Sequence, residues 1–172
     1  LLMGQQIHIG GFRSSMDLAE RAGIGAGMRG VDLCCCNGAG MRFLVRFRNV
    51  ASMTGVDATP TVVERGRQRC QEEGLGDRIH WVQADVCASG LPGASADFVW
   101  GEDAWCYVGD KAKLVAEAAA ALGGLDIFVS NASAGGGMGE QAWQATFEID
   151  VMSAARGVEA AFLDLLYDSG LA

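Results

Sequence analysis

The sequence predicts an α/β fold, a Rossmann-like three-layer sandwich with helices on both faces of a mostly parallel sheet of about five strands. Three observations support this fold class. Short apolar segments alternate with longer segments of helical composition, a glycine-rich turn follows the first apolar segment, and an aspartate ends the second and the third. Right-handed crossovers then give the strand order 3-2-1-4-5 in a single domain over residues 1–172.

The predicted elements follow one another along the chain. Strands are predicted at 30–35, 51–58, 78–84, 96–100 and 125–130, and helices at 41–50, 60–73, 110–122 and 143–167. The helix at 41–50 is predicted to have a basic outer side at Arg42, Arg46 and Arg48. Thr59 is the expected cap of the next helix, with Pro60 in its first turn.

The segment VDLCCCNGAG, residues 31–40, combines three cysteines with a glycine-rich turn. Adjacent strand residues point to opposite faces, so Cys34, Cys35 and Cys36 cannot all bind one metal ion. The six cysteines of the chain also lack the spacing of a zinc ribbon or redox pair. We therefore predict buried free thiols, mostly in the strand, and no metal site. Because glycines let backbone N–H groups approach a ligand, the turn itself is predicted to be the cofactor loop.

Composition and charge exclude several other classes of protein. The net charge of −8 disfavours a nucleic-acid partner, because few basic groups are available to neutralise phosphates. No apolar run reaches the length of a membrane span, and the first residues, LLMGQQ, lack the features of a signal peptide. The sequence therefore predicts a cytoplasmic protein that acts on a small molecule.

Two acidic residues at strand ends favour one cofactor over another. The dinucleotide pattern G-x-G-x-x-G begins at Gly38 but has Phe43 in place of its third glycine. Asp57, at the end of the second strand, suits the ribose hydroxyls of any adenosine cofactor. Asp85, at the end of the third strand, suits the amino group of adenine. That second carboxylate favours S-adenosylmethionine over NAD.

Four motifs together carry a family resemblance: VDLCCCNGAG (31–40), TGVDAT (54–59), VQADV (82–86) and GEDAWCYVGDK (101–111). With these motifs, residues from about 5 to 121 resemble a class I S-adenosylmethionine-dependent methyltransferase. The resemblance is to the small-molecule branch that includes sarcosine/dimethylglycine and ubiquinone-type enzymes. It implies S-adenosylmethionine as cofactor and a small molecule, an amine or similar, as methyl acceptor. The leading segment resembles the family's helical lid, with Gln5 and His8 near the cofactor.

The resemblance also implies roles for individual residues. The implied cofactor-binding residues are Cys34, Cys36, Gly38, Asp57, Ala58, Asp85, Val86, Gly101 and Glu102. Cys34, Cys36 and Gly38 would hold the methionine part. The residues from Asp57 to Val86 would hold the ribose and adenine, and Gly101 and Glu102 would lie beside the methionine end. Asp103 and Tyr107 would face the substrate and are the candidate catalytic residues. The family usually has glycine at the two cysteine positions, where a side chain costs about 1 kcal/mol if φ is positive.

From about residue 122 the sequence resembles a different family. The segment LDIFVSNASA, 125–134, resembles the middle of a short-chain dehydrogenase/reductase, and Asp150 stands where that family's helix has a catalytic asparagine. We therefore expect a chimeric chain, methyltransferase-like over 1–121 and dehydrogenase-like over 122–172. The sheet would be truncated at its carboxyl-terminal edge, and such an edge favours a homodimer. The alternatives are an inactive methyltransferase, an NAD(P)-dependent reductase fragment and a nucleotide-binding module without catalysis.

Overall fold

The computed structural model describes residues 10–126, together with 140, 141 and 144. In chain order its helices are α1 (Gly11–Arg21), α2 (Ala39–Phe47), α3 (Pro60–Glu72) and α4 (Lys111–Leu122). Its strands are β1 (Arg29–Leu33), β2 (Ser52–Asp57), β3 (Ile79–Gln83) and β4 (Phe98–Trp100), and a 3₁₀ turn (Trp105–Tyr107) precedes α4.

The four strands form one parallel sheet in the order β3-β2-β1-β4. This confirms the predicted α/β Rossmann-like fold and the order of its first four strands. The predicted strand 125–130 and helix 143–167 fall almost entirely outside the described residues. None of the helices in residues 10–126 has the length and hydropathy needed to cross a membrane.

Two apolar clusters, one on each face of the sheet, give the fold its three layers. One cluster joins α1, α2 and α3 to the sheet through Ala19, Leu44, Cys70 and Met53. The other joins α4 to the opposite face, with Leu114 packed against Val31, Leu33 and Val56. Strand β1 is covered on both faces. This explains its nearly continuous apolar sequence, the pattern that predicted a central strand.

The first strand ends two residues earlier than predicted, so the three cysteines lie in the turn and not in the strand. Cys34 has φ 66°, outside the extended region. The N–H groups of Cys34 and Cys35 both donate to the carbonyl of Val56, at 2.9 and 3.1 Å, which ends the regular ladder. All six cysteines are free thiols, but only Cys35 and Cys70 are buried. The prediction of free thiols is confirmed, whereas burial was wrong for the other four.

Helix α2 differs from the prediction in the environment of one arginine. Arg46 is about half exposed, as expected, but the side chain of Arg42 is only 3% exposed. Arg42 faces α3, where the carboxylate of Glu73 lies 3.3 Å from its Nε. Placing Arg42 on the outer side was therefore wrong. A contact between two helices, and not the residue type, decides its burial.

Candidate functional site

The carboxyl ends of β1, β2 and β3 open into one cleft of about 480 Å³. Six predicted site residues line it: Cys34, Asp57, Ala58, Asp85, Val86 and Tyr107. Strand ends that are distant in sequence converge here because parallel strands end at the same edge of a sheet. Another depression, of about 400 Å³, lies on the exposed side of α3 and contains none of the predicted residues.

Asp57 connects the two loops that form one wall of the cleft. Its Oδ2 accepts a hydrogen bond from the N–H of Cys36 at 2.9 Å, and its Oδ1 accepts one from the N–H of Thr59 at 2.9 Å. Thr59 is the N-cap residue of α3, its side chain makes no capping hydrogen bond, and its own backbone N–H is bound by Asp57. Each carboxylate oxygen keeps a further lone pair for a ligand in the cleft.

The turn after β1 has a left-handed backbone at three of its five residues. The φ angles are 66° at Cys34, 48° at Cys36 and 73° at Gly38. Gly38 also lies directly beneath Trp81, because a Cβ there would stand 2.5 Å from the indole ring. The turn therefore requires glycine at residue 38 and tolerates strain at the two cysteines.

Replacing either strained cysteine by glycine is expected to stabilise the fold. We expect Cys34→Gly and Cys36→Gly each to raise the free energy of unfolding by about 1 kcal/mol, because glycine adopts positive φ without a steric penalty. Urea denaturation measures the difference. Cys106→Gly is the control, since Cys106 is exposed and its φ is not positive. Equal effects at all three positions would contradict the assignment of strain.

Two of the cysteines at the turn, Cys34 and Cys35, are poor nucleophiles. Burial, followed by the charge of Asp57, raises the pKa of Cys34 to about 11. Burial raises the pKa of Cys35 further. Both thiols are therefore protonated at neutral pH. Across residues 10–126, no three His, Cys, Asp or Glu side chains converge as ligands of a metal ion would.

The segment after β4 leads to the part of the cleft lined by Tyr107 and contacts helix α1. Ser15, fully buried on α1, donates its hydroxyl to the carboxylate of Glu102 at 3.0 and 3.1 Å. Trp105 covers Gly101, because a Cβ on Gly101 would stand 2.1 Å from the indole nitrogen. That nitrogen donates to the carbonyl of Leu33 at 3.0 Å. The structure therefore places Gly101 and Glu102 next to the cleft and not on its wall.

Of the two candidate catalytic residues, Tyr107 lines the cleft and Asp103 does not. Tyr107 is 87% exposed and lines the mouth of the cleft. Asp103 is exposed and has a left-handed backbone, with φ 51°. Of the remaining predicted residues, Cys36 and Gly38 belong to the turn behind Cys34 and do not line the cleft.

Asp32 is a buried acidic residue for which no role was predicted from the sequence. It lies in the middle of β1, is 5% exposed and pairs in register with Trp100 of β4. Burial raises the pKa of its carboxyl group well above the usual value, and the negative charges of Glu102 and Asp57 raise it further. The signal in the sequence was a single acidic residue within an apolar strand. Burial of an unpaired carboxylate costs free energy, and such residues are found more often at functional sites.

The raised pKa of Asp32 predicts how stability depends on pH. The folded chain holds this proton at pH values where the unfolded chain has lost it, so stability falls as pH rises from the unfolded pKa, about 4, through the folded pKa. We expect Asp32→Asn to unfold at higher urea concentration than the unmodified chain at pH 8. The advantage should disappear as pH falls below the unfolded pKa.

Asp97→Asn is the matched control, with the opposite sign. Hydrogen bonds from the side chain and backbone of Arg29 lower the pKa of Asp97, so its contribution to stability is present at neutral pH and is lost on acidification. Asp97→Asn should therefore be less stable than the unmodified chain at pH 8. Shifts of the same sign in both variants would contradict these directions.

Several known proteins with similar sequences or structures are methyltransferases. A sterol 24-C-methyltransferase of Yarrowia lipolytica is 32% identical over 87 residues, which cover 51% of this chain and 23% of that protein. A structure assigned as a sarcosine dimethylglycine methyltransferase from Galdieria sulphuraria has a TM-score of 0.61 and 28% identity, covering 64% of this chain and 43% of that one. The matched part of the chain spans between 23% and 40% of the length of the curated relatives.

A third similar protein supports the fold alone. The phosphoethanolamine N-methyltransferase 2 of Haemonchus contortus, in complex with S-adenosyl-L-methionine, has a TM-score of 0.63 at 23% identity, covering 69% of this chain and 27% of that one. None of these three proteins supports the dehydrogenase resemblance of residues 122–172. The model of the family described as methyltransferase domain matches residues 31–124, more than half of the chain. The chain therefore belongs to the methyltransferase domain family.

Proposed function

We propose that the cleft binds S-adenosylmethionine and that the chain transfers its methyl group to a small molecule, an amine or a similar nucleophile. The observation that carries the proposal is the convergence of Cys34, Asp57, Ala58, Asp85 and Val86 on one cleft. These residues come from the ends of three different strands. The cleft volume of about 480 Å³ lies in the range of small-molecule sites.

The charges of the cleft fit a cationic cofactor. Asp57, Asp85 and Asp110 contribute three carboxylates to its lining, against the single cation of Lys113. Such a surface attracts a sulfonium ion and repels the pyrophosphate of a dinucleotide. This balance favours S-adenosylmethionine over NAD(P), so hydride transfer is not part of the proposal.

The proposed roles follow the family resemblance. Asp57 binds the ribose hydroxyls, while Asp85 and Val86 hold the adenine. The turn at Cys34, Cys36 and Gly38 holds the methionine part, whose far end lies towards Gly101 and Glu102. Two observations support the role of Asp85. It is exposed just after its strand, and its Oδ1 keeps a further lone pair beside the bond that it accepts from Cys87 N–H at 2.9 Å.

The chemistry asks the chain chiefly to position its ligands. The cofactor supplies an activated methyl group when bound, and the protein aligns the acceptor with it. Tyr107, exposed at the mouth of the cleft, is suited to contact the acceptor. Asp103 would bind an amine acceptor and accept its proton. A carboxylate can pair with the charge of the ammonium form and take the proton that this group loses.

A second candidate, an adenosyl-binding module without turnover, is favoured by the position of Trp105. Its indole covers Gly101 and bonds to Leu33, on the side where the methionine end would lie. A full cofactor then requires this indole to move. The predicted homodimer through a sheet edge remains a further proposal.

Calorimetric titration tests both candidates. We expect binding of S-adenosylmethionine and S-adenosylhomocysteine and no binding of NADH. No binding of either adenosyl compound, or preferential binding of NADH, would refute the proposal. The rate at which S-adenosylhomocysteine is released, measured with and without a panel of small amines, then separates the two candidates. An enzyme releases it faster when an acceptor amine is present, whereas a binding module does not.

A further inference from the structure

We propose that Arg42, which lies outside the cleft, is a positioning residue that holds the cofactor loop (residues 34–38) from behind and so sets its affinity for the adenosyl cofactor. The affinity part of this inference rests on the proposed function. The ordering of the loop by Arg42 does not depend on that function and is tested separately.

One guanidinium group joins three parts of the chain. Arg42 lies on α2, and its Nη1 donates to the carbonyl oxygen of Asn37, in the loop, at 2.6 Å. Its Nε lies 3.3 Å from Oε2 of Glu73, the C-cap residue of α3. The side chain is 3% exposed, so water does not compete effectively for these donors. Glu73 thereby fixes Arg42, and Arg42 fixes Asn37.

The loop needs restraint because its backbone is strained. Cys36, the residue before Asn37, has φ 48°, and Gly38, the residue after it, has φ 73°. Strained backbone persists only where the surroundings over-determine it. Asp57 holds the N–H of Cys36 from the cleft side, and Arg42 holds the carbonyl of Asn37 from the opposite side. The loop is therefore fixed from both sides.

The chemistry of arginine explains why this residue type is used. A guanidinium group presents several N–H donors at fixed angles, so it can bond a carboxylate and a carbonyl oxygen at the same time. A lysine ammonium at the same place would keep the charge attraction to Glu73 but not the fixed fork to Asn37. The position thus combines an ion pair, which holds the arginine, with a hydrogen bond, which shapes the loop.

Two variants remove the loop contact while limiting damage to the fold. Arg42→Lys keeps a positive charge beside Glu73. The double variant Arg42→Met with Glu73→Gln removes the buried charge of Arg42 together with its partly buried counter-charge, a replacement that proteins often tolerate. Arg46→Met is the matched control, because Arg46 pairs with the same Glu73 Oε2, at 3.1 Å, but has no bond to the loop.

Hydrogen exchange of the loop amides, without ligand, is the first measurement. We expect the amides of Cys36 and Gly38 to exchange faster in both Arg42 variants and at an unchanged rate in Arg46→Met. Unchanged exchange in a folded Arg42 variant would overturn the inference. Faster exchange in all three variants would also overturn it, since that would report a general loosening of the helices.

Affinity for S-adenosylhomocysteine is the second measurement. We expect both Arg42 variants to bind roughly three- to thirtyfold more weakly, with Arg46→Met unchanged. If the unmodified chain binds and all variants bind equally well, the affinity part of the inference is wrong. If the unmodified chain binds neither adenosyl compound, the proposed function is wrong, and the exchange rates alone decide whether Arg42 orders the loop.

Discussion

Glu73→Gln is expected to lower the free energy of unfolding by about 2–4 kcal/mol, because it leaves the buried guanidinium of Arg42 without its counter-charge. Glu73 is the centre of an ion-pair network, with Arg42 at 3.3 Å, Arg46 at 3.1 Å and Arg69 at 3.0 Å. Its Oε2 accepts no well-aligned hydrogen bond from any described residue, so the attraction to Arg42 is mainly Coulombic. Removing the charge therefore removes most of the interaction. Urea denaturation at neutral pH measures the loss.

Glu64→Gln is the matched control for this prediction. Glu64 lies on the same helix and pairs with Arg67 at 2.9 Å, but its side chain is 71% exposed. Exposed ion pairs contribute about 0–1 kcal/mol, because water and salt screen them. A loss at Glu73 no larger than that at Glu64 would show that the burial of Arg42 does not matter to stability.

Asp57→Ala is expected to weaken binding of S-adenosylhomocysteine by about 1–3 kcal/mol, through loss of charge-assisted hydrogen bonds to the ribose. The same change should destabilise the fold by about 1–2 kcal/mol, because the N–H groups of Cys36 and Thr59 lose their acceptor. The two effects are measured separately, by calorimetric titration and by denaturation. Titration must therefore be done where the variant is fully folded.

Asp77→Ala controls for the general loss of one negative charge. Asp77 is exposed in the loop before β3 and does not line the cleft. We expect it to bind the adenosyl compound as tightly as the unmodified chain. A folded Asp57→Ala variant with the affinity of Asp77→Ala would rule out the placement of the ribose at Asp57.

Local sequence was sufficient for the fold because the relevant signals are short in range. The short segments 30–35, 51–58 and 78–84 predicted β1 to β3, and the segment Thr59-Pro60 predicted the start of α3. The ends of elements were less accurate. Strand β1 ends at Leu33 because Cys34 leaves the extended region, a dihedral choice made by contacts to β2. Nothing in the residue type of cysteine indicates it.

The candidate site was predictable where strand order alone places a residue. Asp57 and Asp85 follow parallel strands, so they necessarily reach the same edge of the sheet. Gly101 and Glu102 were harder to place, because side chains from other parts of the chain contact them. Trp105 covers the first, and Ser15, 87 residues away in sequence, bonds to the second. Such contacts have no local signature.

The sequence by itself determined the order of elements, the parallel sheet and the family to which the chain belongs. The elements depend on local periodicity, and the family depends on short motifs and on their spacing along the chain. The tertiary structure alone decided which charges are buried. Arg42 and Arg46 lie on the same helix, four residues apart, yet only Arg42 is enclosed between α2 and α3. Packing of elements distant in sequence sets the exposure of each side chain, and exposure sets how strongly its charge acts.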